Sequence, residues 1–597
     1  MKKTLSLVLA LLMLLSLFTG CGNKPAETTN APAKTNAPAA SSAPSSNNQS
    51  ESAAPVEEDS PYNYPVGKYE KNAEGYPVSK YVYEKPICTN DEVLTKWSTC
   101  YTPQYIPEDG WGSIPTWKGV RDYTGVHIEY DIVDSANRSQ NFSVLLASDD
   151  LDEIVDQGTY FYQGGSVLSA IEDGYFMNLI DYTDYMPCYM YEAYTRSLNN
   201  KDVMDKVYYN KDTLVTMSGM LVEPAPGMGY FVREDWMQKL GLGSAADLVT
   251  YDDIHEALIA FKTNYSTNGD IFPFFINNCV ENQPGCFFGG YGTAIYTTKM
   301  SYMRVRDGKV EFCGTTDDDR DAMTLLSTWY SEGLISPNFQ TFVPGGDYDA
   351  GSSTGGVGIN LMPPSSLQNS IDSGKENDPD FDWQPISRPR KVAGQELDYG
   401  GAFSNFHYGS ANITGNCHNI ELAVTWLDWW MSDWGSEWTS WGPEGEGKDA
   451  VGALWYYNEN GERRLTDWCF NNEASMAWIM CLYGCNGLVE FCLQIHKRNY
   501  AFDGGERSLA VFDFWMNDPY RGAYDWPSAV KLTDEESSEY AQISSDLGTY
   551  YEENYVAFVD GSKPMSDWDA YIESLNAFGY QRAQEIYQTA YDRYIAG

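Results

Sequence analysis

The chain has 597 residues and a formal net charge of −45 at neutral pH, with 84 acidic and 39 basic residues. This length predicts more than one hydrophobic core. The charge argues against nucleic acids and anionic lipid surfaces as partners, since clustered Lys and Arg bind these, and it disfavours a strongly anionic ligand unless a local arginine compensates.

The first twenty residues have the layout of a secretory signal peptide. Lys2 and Lys3 precede an apolar run over residues 4–19, which ends in small residues before Cys21. The run is short for a membrane span, which needs about 20 apolar residues. An uncleaved N-terminal anchor is the alternative. Residues 18–21 (Phe-Thr-Gly-Cys) resemble the bacterial lipobox, which implies that Cys21 carries lipid and holds the protein on the outer face of the cell membrane.

After Cys21 the composition changes to Ala, Pro, Ser, Thr and Asn, and this continues to about residue 60. Such a segment has too few large apolar side chains to offset the entropy of ordering. We therefore predict a disordered linker over residues 21–66, with the lipidated cysteine at its start.

Alternating apolar residues predict strands over residues 92–98, 126–133 and 151–156. Helices are predicted between them, over 117–124 and 139–146. This order predicts a parallel sheet with crossover helices. Open parallel sheets bind ligands beyond the carboxyl ends of their strands.

Later segments predict helices that present one apolar face. Thr250 and Asp253 form a capping pair before such a helix, and residues 317–319 (three Asp) are predicted to begin another that runs through Trp329. Apolar stripes over 423–434, 571–578 and 587–594 predict further helices, with a break at Gly579. These stripes indicate core faces.

Aromatic residues make up 15% of the chain, with 45 Tyr and 18 Trp. Their flat faces and polar edges suit sugars, although most of them are expected to fill cores. Twelve Cys are present, so eleven remain after Cys21. An odd number rules out full intrachain disulfide pairing, and the spacing of Cys481 and Cys485 is a weak indication of a metal site. We predict no metal and no cofactor.

Several short motifs occur in a consistent order along the chain. They lie at residues 123–126 (Tyr-Thr-Gly-Val), 145–154, 231–242, 251–262, 333–339, 355–359, 441–445 and 559–568. Together they resemble the extracellular solute-binding proteins of bacterial ABC carbohydrate importers (family 1), in particular the LipO-like lipoprotein branch. The resemblance covers nearly all of the chain after residue 120.

This resemblance implies an α/β, two-lobed periplasmic-binding-protein-like fold of type II. Each lobe would be a mixed, mostly parallel sheet flanked by helices, and a hinge would join the lobes near 217–229 and 381–388. The implied N-terminal lobe comprises 67–220 and 385–440. The C-terminal lobe comprises 221–384 and 441–597. The implied partners are a carbohydrate, expected to be an oligosaccharide, and the permease of an ABC transporter; we expect a monomer.

The family places ligand contacts on loops that follow strands, and Asp, Asn and Tyr side chains suit hydroxyl groups and ring faces of sugars. The positions carried over on this basis are Tyr101, Asp156, Gln157, Tyr160, Asn278, Tyr291, Asn360, Phe403 and His407.

Two other functions stay open from the sequence. A glycoside-active enzyme is one, because 84 acidic residues make a carboxylate pair impossible to exclude. Residues 351–355 (Gly-Ser-Ser-Thr-Gly) match a nucleophile-elbow pattern, but a predicted strand follows where a helix is needed. A sugar-sensing lipoprotein that feeds a signalling receptor would need the same cleft as a transport protein. We predict no catalytic residues.

Overall fold

The computed structural model describes residues 60–162, 166–200, 202–220, 229–265, 272–276, 287–293, 303–341, 356–398, 406–484, 498–518, 522–527 and 529–596. The predicted signal peptide, Cys21 and most of the predicted linker lie outside these residues. Within the described part of the chain, no helix combines the length and apolarity needed to cross a membrane.

The strands are β1 (Val93–Cys100), β2 (His127–Asp134), β3 (Ile154–Asp156), β4 (Met217–Met220), β5 (Gly229–Arg233), β6 (Phe272–Phe274), β7 (Met303–Arg306), β8 (Lys309–Phe312), β9 (Val357–Met362), β10 (Trp383–Pro385), β11 (Phe406–Ile413), β12 (Trp455–Tyr457) and β13 (Arg463–Leu465).

The helices are α1 (Pro115–Thr124), α2 (Arg138–Ser148), α3 (Gly158–Phe161), α4 (Val167–Glu172), α5 (Pro187–Ser197), α6 (Asp202–Val207), α7 (Glu234–Leu240), α8 (Tyr251–Tyr265), α9 (Asp317–Ser331), α10 (Leu367–Lys375), α11 (Ile420–Trp429), α12 (Asp433–Trp441), α13 (Asp467–Phe470), α14 (Met476–Tyr483), α15 (Gly505–Met516), α16 (Asp534–Val559), α17 (Trp568–Ala577) and α18 (Tyr580–Ala596).

The first lobe contains a five-stranded sheet in the order β2-β1-β3-β11-β4. β1 is parallel to both of its neighbours, and β11 is antiparallel to β3 and β4. The predicted strands at 92–98, 126–133 and 151–156, and the two helices between them, are confirmed as β1, β2, β3, α1 and α2. Their order produces the parallel crossovers that the sequence predicted.

The second lobe contains a four-stranded sheet in the order β10-β5-β9-β6. β9 pairs with β6 in parallel and with β5 in antiparallel orientation, so this sheet is mixed as well. Thr250 and Asp253 cap α8 as predicted, through hydrogen bonds between the Asp253 carboxylate and the Thr250 N–H and hydroxyl (2.8 and 2.7 Å). A Thr316–Asp319 capping box begins α9, which confirms the helix predicted from residue 317.

The chain passes between the two sheets three times. The first passage follows Met220 and agrees with the predicted 217–229. The predicted return near 381–388 is wrong, because Arg390 still forms a bridge with Thr250 of the second lobe and β10 pairs with β5. The return lies between residue 398 and β11. A third passage lies between Phe502 and α15.

Each lobe has its own core. The core of the first lobe includes residues between Tyr83 and Met220, then β11 and α11, and continues through Trp441 and Leu454 to Phe502. The segment 441–502 therefore packs with the first lobe, whereas the sequence interpretation placed it in the second. The C-terminal helices α16, α17 and α18 pack in the core of the second lobe, and Gly579 separates α17 from α18 as predicted.

Candidate ligand-binding site

The carboxyl ends of β1, β2, β3 and β4 lie at one edge of the first-lobe sheet. β1 is parallel to β2 and β3, and the antiparallel β11 between β3 and β4 gives β4 the same direction. Met220, at the end of β4, leads directly into the first passage to the second lobe. This edge therefore faces the junction between the lobes, where open α/β sheets bind small molecules.

Three exposed aromatic rings belong to this edge. Tyr101 directly follows β1 and is 49% exposed, and Trp478 of α14 is 39% exposed. The two rings are stacked, with centroids 4.7 Å apart and an interplanar angle of 25°. Tyr160, after β3, is 62% exposed and packs edge-on against Phe161. A large aromatic ring left in solvent at a cleft is a ready surface for the C–H face of a sugar.

Arg138 connects the two aromatic groups. It is the first residue of α2, and its guanidinium lies 5.8 Å from the ring centroid of Tyr101 and 6.0 Å from that of Phe161. One of its N–H groups donates a hydrogen bond to the Tyr101 hydroxyl (3.2 Å). The rings and the guanidinium thus form one continuous surface beyond the ends of β1, β2 and β3.

Asp156 lies beneath this surface rather than on it. The residue is 2% exposed, and its carboxylate forms a buried ion pair with Lys96 at 2.5 Å. Burial raises the pKa of Asp156, and the Lys96 ammonium opposes that increase. One carboxylate oxygen is buried without a hydrogen-bond partner in the described part of the chain. The pair forms the floor of the site and holds β1 and β3 together.

Gln157 and His407 lie at the same edge. Gln157 has a left-handed backbone (φ 55°) and precedes α3, where its carbonyl accepts hydrogen bonds from the N–H groups of Tyr160 and Phe161. Such a conformation is uncommon for residues other than glycine. The backbone of His407 pairs with Gly219 of β4. The predicted contacts Asn278 and Phe403 lie outside the described residues.

The two remaining positions lie in the second lobe. Tyr291 ends a short 3-10 helix (Gly289–Tyr291), lines a cavity of about 210 Å³, and has the Lys391 ammonium 4.3 Å from its ring centroid. Burial raises the pKa of its hydroxyl to about 12. Asn360 is fully buried within β9, opposite Phe231. The expectation that it follows its strand is wrong, because β9 continues to Met362.

Trp478 and Arg138 belong to this surface but were missed from the sequence. Trp478 comes from α14, more than 370 residues after Tyr101, so no local pattern connects the two. Arg138 could have been found, because it lies a few residues after β2 and the same rule that selected Tyr101 applies to it.

No metal site emerges among the described residues. In that part of the chain no three His, Cys, Asp or Glu side chains are arranged to hold a metal ion. The Gly-Ser-Ser-Thr-Gly loop at 351–355 lies outside the described residues, but the strand predicted to follow it is confirmed as β9. A helix, which a nucleophile elbow requires, does not follow the loop.

No family model matches the chain. Among curated proteins, it is 25% identical to lipoprotein LipO of Bacillus subtilis over 254 residues, which is 40% of this chain and 44% of LipO. It is 22% identical over 391 residues to FusA, a fructooligosaccharide ABC transporter substrate-binding protein of Streptococcus pneumoniae, which covers 61% of this chain and 65% of FusA. The chain is a homologue of LipO and FusA. The matches span less than two thirds of the length of either relative.

Solved structures agree with this relationship. The structure of FusA in complex with kestose matches 84% of this chain and 99% of FusA, with a TM-score of 0.65 at 18% identity. An extracellular solute-binding protein from Bifidobacterium longum subsp. infantis matches 88% of the chain and 100% of its own length, with a TM-score of 0.65 at 17% identity. The predicted two-lobed fold of solute-binding proteins is therefore confirmed, and so is the resemblance that the sequence motifs indicated.

Proposed function

We propose that this chain is an extracytoplasmic solute-binding protein that captures an oligosaccharide between its lobes and delivers it to the permease of an ABC transporter. The observation that carries the proposal is the group of exposed rings of Tyr101, Tyr160 and Trp478 at the carboxyl edge of the first-lobe sheet. FusA, a homologue with the same fold, has been solved with kestose bound, which supports a sugar as the ligand class.

The physical basis is the match between these rings and a sugar. Pyranose and furanose rings have apolar C–H faces that stack on Trp and Tyr, while their hydroxyl groups require hydrogen-bond partners. Tyr101 and Trp478 form one platform and Tyr160 provides a second ring, so more than one sugar unit can be contacted. The second lobe would supply contacts from the opposite side, with Tyr291 and the predicted Asn278 as candidates.

Membrane attachment through Cys21 forms a further part of the proposal. The lipobox-like residues before Cys21 support it, and the homologue LipO is described as a lipoprotein. Lipid on Cys21 would keep the folded lobes beside a permease, with the predicted linker setting their reach. A Cys21→Ser variant is expected to move from the membrane fraction to the culture medium or to remain unprocessed, whereas a Cys88→Ser variant is expected to fractionate like the wild type.

Isothermal titration calorimetry of the folded part against a panel of fructo-, gluco-, manno- and galacto-oligosaccharides tests the ligand class. Tyr101→Ala and Trp478→Ala are each expected to weaken binding of the best ligand about tenfold, the size of one lost ring contact. Tyr457→Ala is the matched control, because Tyr457 is similarly exposed (47%) but lies on the β12–β13 hairpin.

Two outcomes would contradict the proposal. One is the absence of heat and of thermal stabilisation with every sugar, since a ligand that binds only the native state must raise stability. The other is the release of new reducing ends from the bound oligosaccharide, which would indicate the glycoside-active enzyme instead. A sensing role differs only in the membrane partner, and deletion of the permease would abolish sugar uptake only if the transport role is correct.

A further inference from the structure

Arg138 is unusual among the arginines of this acidic protein. Most arginines that the structure describes form ion pairs with carboxylates, including Arg121, Arg233 and Arg304. Arg138 is half-buried and forms no ion pair with a carboxylate among the described residues. The chain has 84 acidic residues, so most cations have a carboxylate within reach, and Arg138 at the candidate site is an exception among the described residues.

Most of the hydrogen-bonding capacity of Arg138 is unused by the residues that the structure describes. A guanidinium has five N–H donors in a rigid planar fork. One of them donates to the Tyr101 hydroxyl at 3.2 Å, and the group lies over the rings of Tyr101 and Phe161. These contacts orient the guanidinium against the aromatic surface while several donors stay open to a ligand.

The backbone around Arg138 adds further donors at the same place. Arg138 is the first residue of the eleven-residue helix α2, and the N-cap residue Asn137 makes no side-chain hydrogen bond to the helix. Helix N-termini carry partial positive charge and favour anions. Ser135, just before the helix, is 8% exposed, and its hydroxyl has no hydrogen-bond partner among the described residues. The Ser135 N–H donates to the carbonyl of Cys100, which places the Ser135 backbone next to the start of the Tyr101 loop.

Neither Asp134 nor Asp156 forms an ion pair with Arg138. Asp156 is committed to the buried pair with Lys96. Asp134 is exposed, and one of its oxygens accepts a hydrogen bond from the N–H of Ala136 (2.9 Å). The guanidinium and the first turn of α2 therefore form a positive patch of donors beside the rings of Tyr101 and Trp478.

We propose that the oligosaccharide bound by this protein carries a carboxylate, as in a uronic-acid-containing glycan, and that Arg138 binds this carboxylate while a ring of Tyr101 or Trp478 stacks on a sugar face. The inference rests on the proposed function. The hydroxyl groups of a neutral sugar can form hydrogen bonds with hydroxyl and amide side chains, so a neutral sugar does not require an arginine without a carboxylate partner. A carboxylate matches the guanidinium fork in a bidentate arrangement, one of the strongest hydrogen-bonding pairs in proteins. The net charge of −45 repels an anionic ligand, but this repulsion is screened beyond about 10 Å at 0.1 M salt. The affinity for a carboxylate therefore depends mainly on the nearby Arg138.

The test compares acidic oligosaccharides with neutral forms that differ only at the carboxyl group. Galacturonate, mannuronate, guluronate and glucuronate-containing trisaccharides are titrated in parallel with their methyl esters, which keep the ring and the linkages. The wild-type protein is expected to bind one acidic form at least tenfold more tightly than its ester. The preference is expected to decline as NaCl is raised from 20 to 500 mM, since an ion pair that remains partly exposed is screened.

Variants assign the preference to Arg138. Arg138→Gln is expected to reduce the preference for the acid over the ester to within about threefold, because binding of the acid weakens more than binding of the ester. Arg138→Lys is expected to restore part of it, because Lys keeps the charge but not the planar fork. Arg121→Gln is the control, since Arg121 is an exposed arginine in the last turn of α1 and is not part of the candidate site. An unchanged melting temperature shows that each variant is folded.

Three results would overturn the inference. The wild type could bind the esters or other neutral oligosaccharides as tightly as the acids, which would leave the proposed function intact. Arg138→Gln could keep the full acid preference, which would place the carboxylate elsewhere. Binding of neither acidic nor neutral oligosaccharides would remove the proposed function itself and the inference with it.

Discussion

At the scale of single residues, the Lys96–Asp156 ion pair lies buried beneath the candidate site. Both side chains are at most 4% exposed. We expect Lys96→Met to lower the free energy of unfolding by about 3–5 kcal/mol, because removing one partner leaves an uncompensated buried group. Denaturant unfolding at pH 7 measures this change.

The control is Lys118→Met, which removes a lysine that pairs with Asp122 on the surface of α1. This variant is expected to lose less than about 1 kcal/mol, because exposed ion pairs contribute little. Equal effects of the two substitutions would contradict the assignment of Lys96 and Asp156 as the floor of the site.

Asp428 gives a second prediction, on pH dependence. Its carboxylate accepts hydrogen bonds from the Tyr83 hydroxyl (2.6 Å) and from the N–H groups of Cys188 (3.0 Å) and Tyr189 (2.7 Å). Burial raises its pKa from 3.8 to about 6. The folded protein thus holds this proton more tightly than the unfolded chain does. The stabilising contribution is complete below about pH 3.8 and is lost as the pH rises through about 6.

The effect is measured as the difference in unfolding free energy between the wild type and Asp428→Asn at pH 4 and at pH 7.5. The wild type is expected to lose about 3 kcal/mol relative to the variant over this interval. A constant difference between the two proteins at both pH values would show that Asp428 does not titrate in this range.

Some residues of the candidate site could be predicted from the sequence and others could not. Tyr101, Gln157 and Tyr160 were predicted at the carboxyl edge of the first-lobe sheet because each follows a strand that is visible in the sequence, and the parallel topology brings strand ends together. Asn360 was misplaced, because two further apolar residues extend β9 beyond the point where the motif resemblance ended it. Trp478 stacks on Tyr101 through tertiary packing of α14, which no local pattern encodes.

At the scale of elements, the packing of α12 on α1 depends on a glycine. A Cβ atom on Gly119 would lie 2.1 Å from the Trp438 ring. That ring is held in place by its N–H, which donates to the Thr116 carbonyl (2.8 Å), and by stacking on Trp434 at 5.2 Å. We expect Gly119→Ala to lower the free energy of unfolding by about 1–3 kcal/mol, since the ring cannot move without losing these contacts.

Gly548 is the matched control within a helix. It lies in α16, and no heavy atom comes within 4 Å of the position of its added Cβ. Gly548→Ala is therefore expected to stabilise the protein by up to about 1 kcal/mol through helix propensity alone. Thermal or denaturant unfolding of both variants gives the comparison, and effects of the same sign would refute the role assigned to the close approach of Trp438.

Elements with strong local signals were predicted well, and connections between lobes were not. The capping pairs at Thr250 and Thr316 begin helices at the positions expected from the sequence. The stripe over 423–434 proved to be two helices, because Ser432 accepts a hydrogen bond from the Gly435 N–H and begins α12. The lobe to which a segment such as 441–502 belongs depends on which core buries its apolar face. The sequence shows that the face is apolar but does not show which of the two cores it joins.

At the scale of the whole molecule, buried free thiols recur in the part of the chain that the structure describes. They are Cys88, Cys100, Cys188, Cys417 and Cys469. Burial raises the pKa of Cys417 and Cys469 to about 12, which keeps these thiols protonated and unreactive. We expect the denatured, unreduced protein to titrate at least five thiols with a disulfide reagent, and the native protein to react much more slowly. A denatured count near one would instead indicate disulfide pairing.

Closure of the two lobes is the last property that belongs to the whole molecule. Three passages of chain join the lobes, after Met220, before β11 and between Phe502 and α15, and each lobe has a separate core. Such an arrangement allows rigid-body motion about the passages, and a ligand that contacts both lobes stabilises the closed form.

Small-angle X-ray scattering is expected to show a smaller radius of gyration with saturating oligosaccharide than without it. The Tyr101→Ala and Trp478→Ala double variant should show no decrease at the same sugar concentration, because it cannot hold the ligand against the first lobe. A radius of gyration that stays constant in the wild type while calorimetry reports binding would place the ligand on one lobe only and exclude capture between the two.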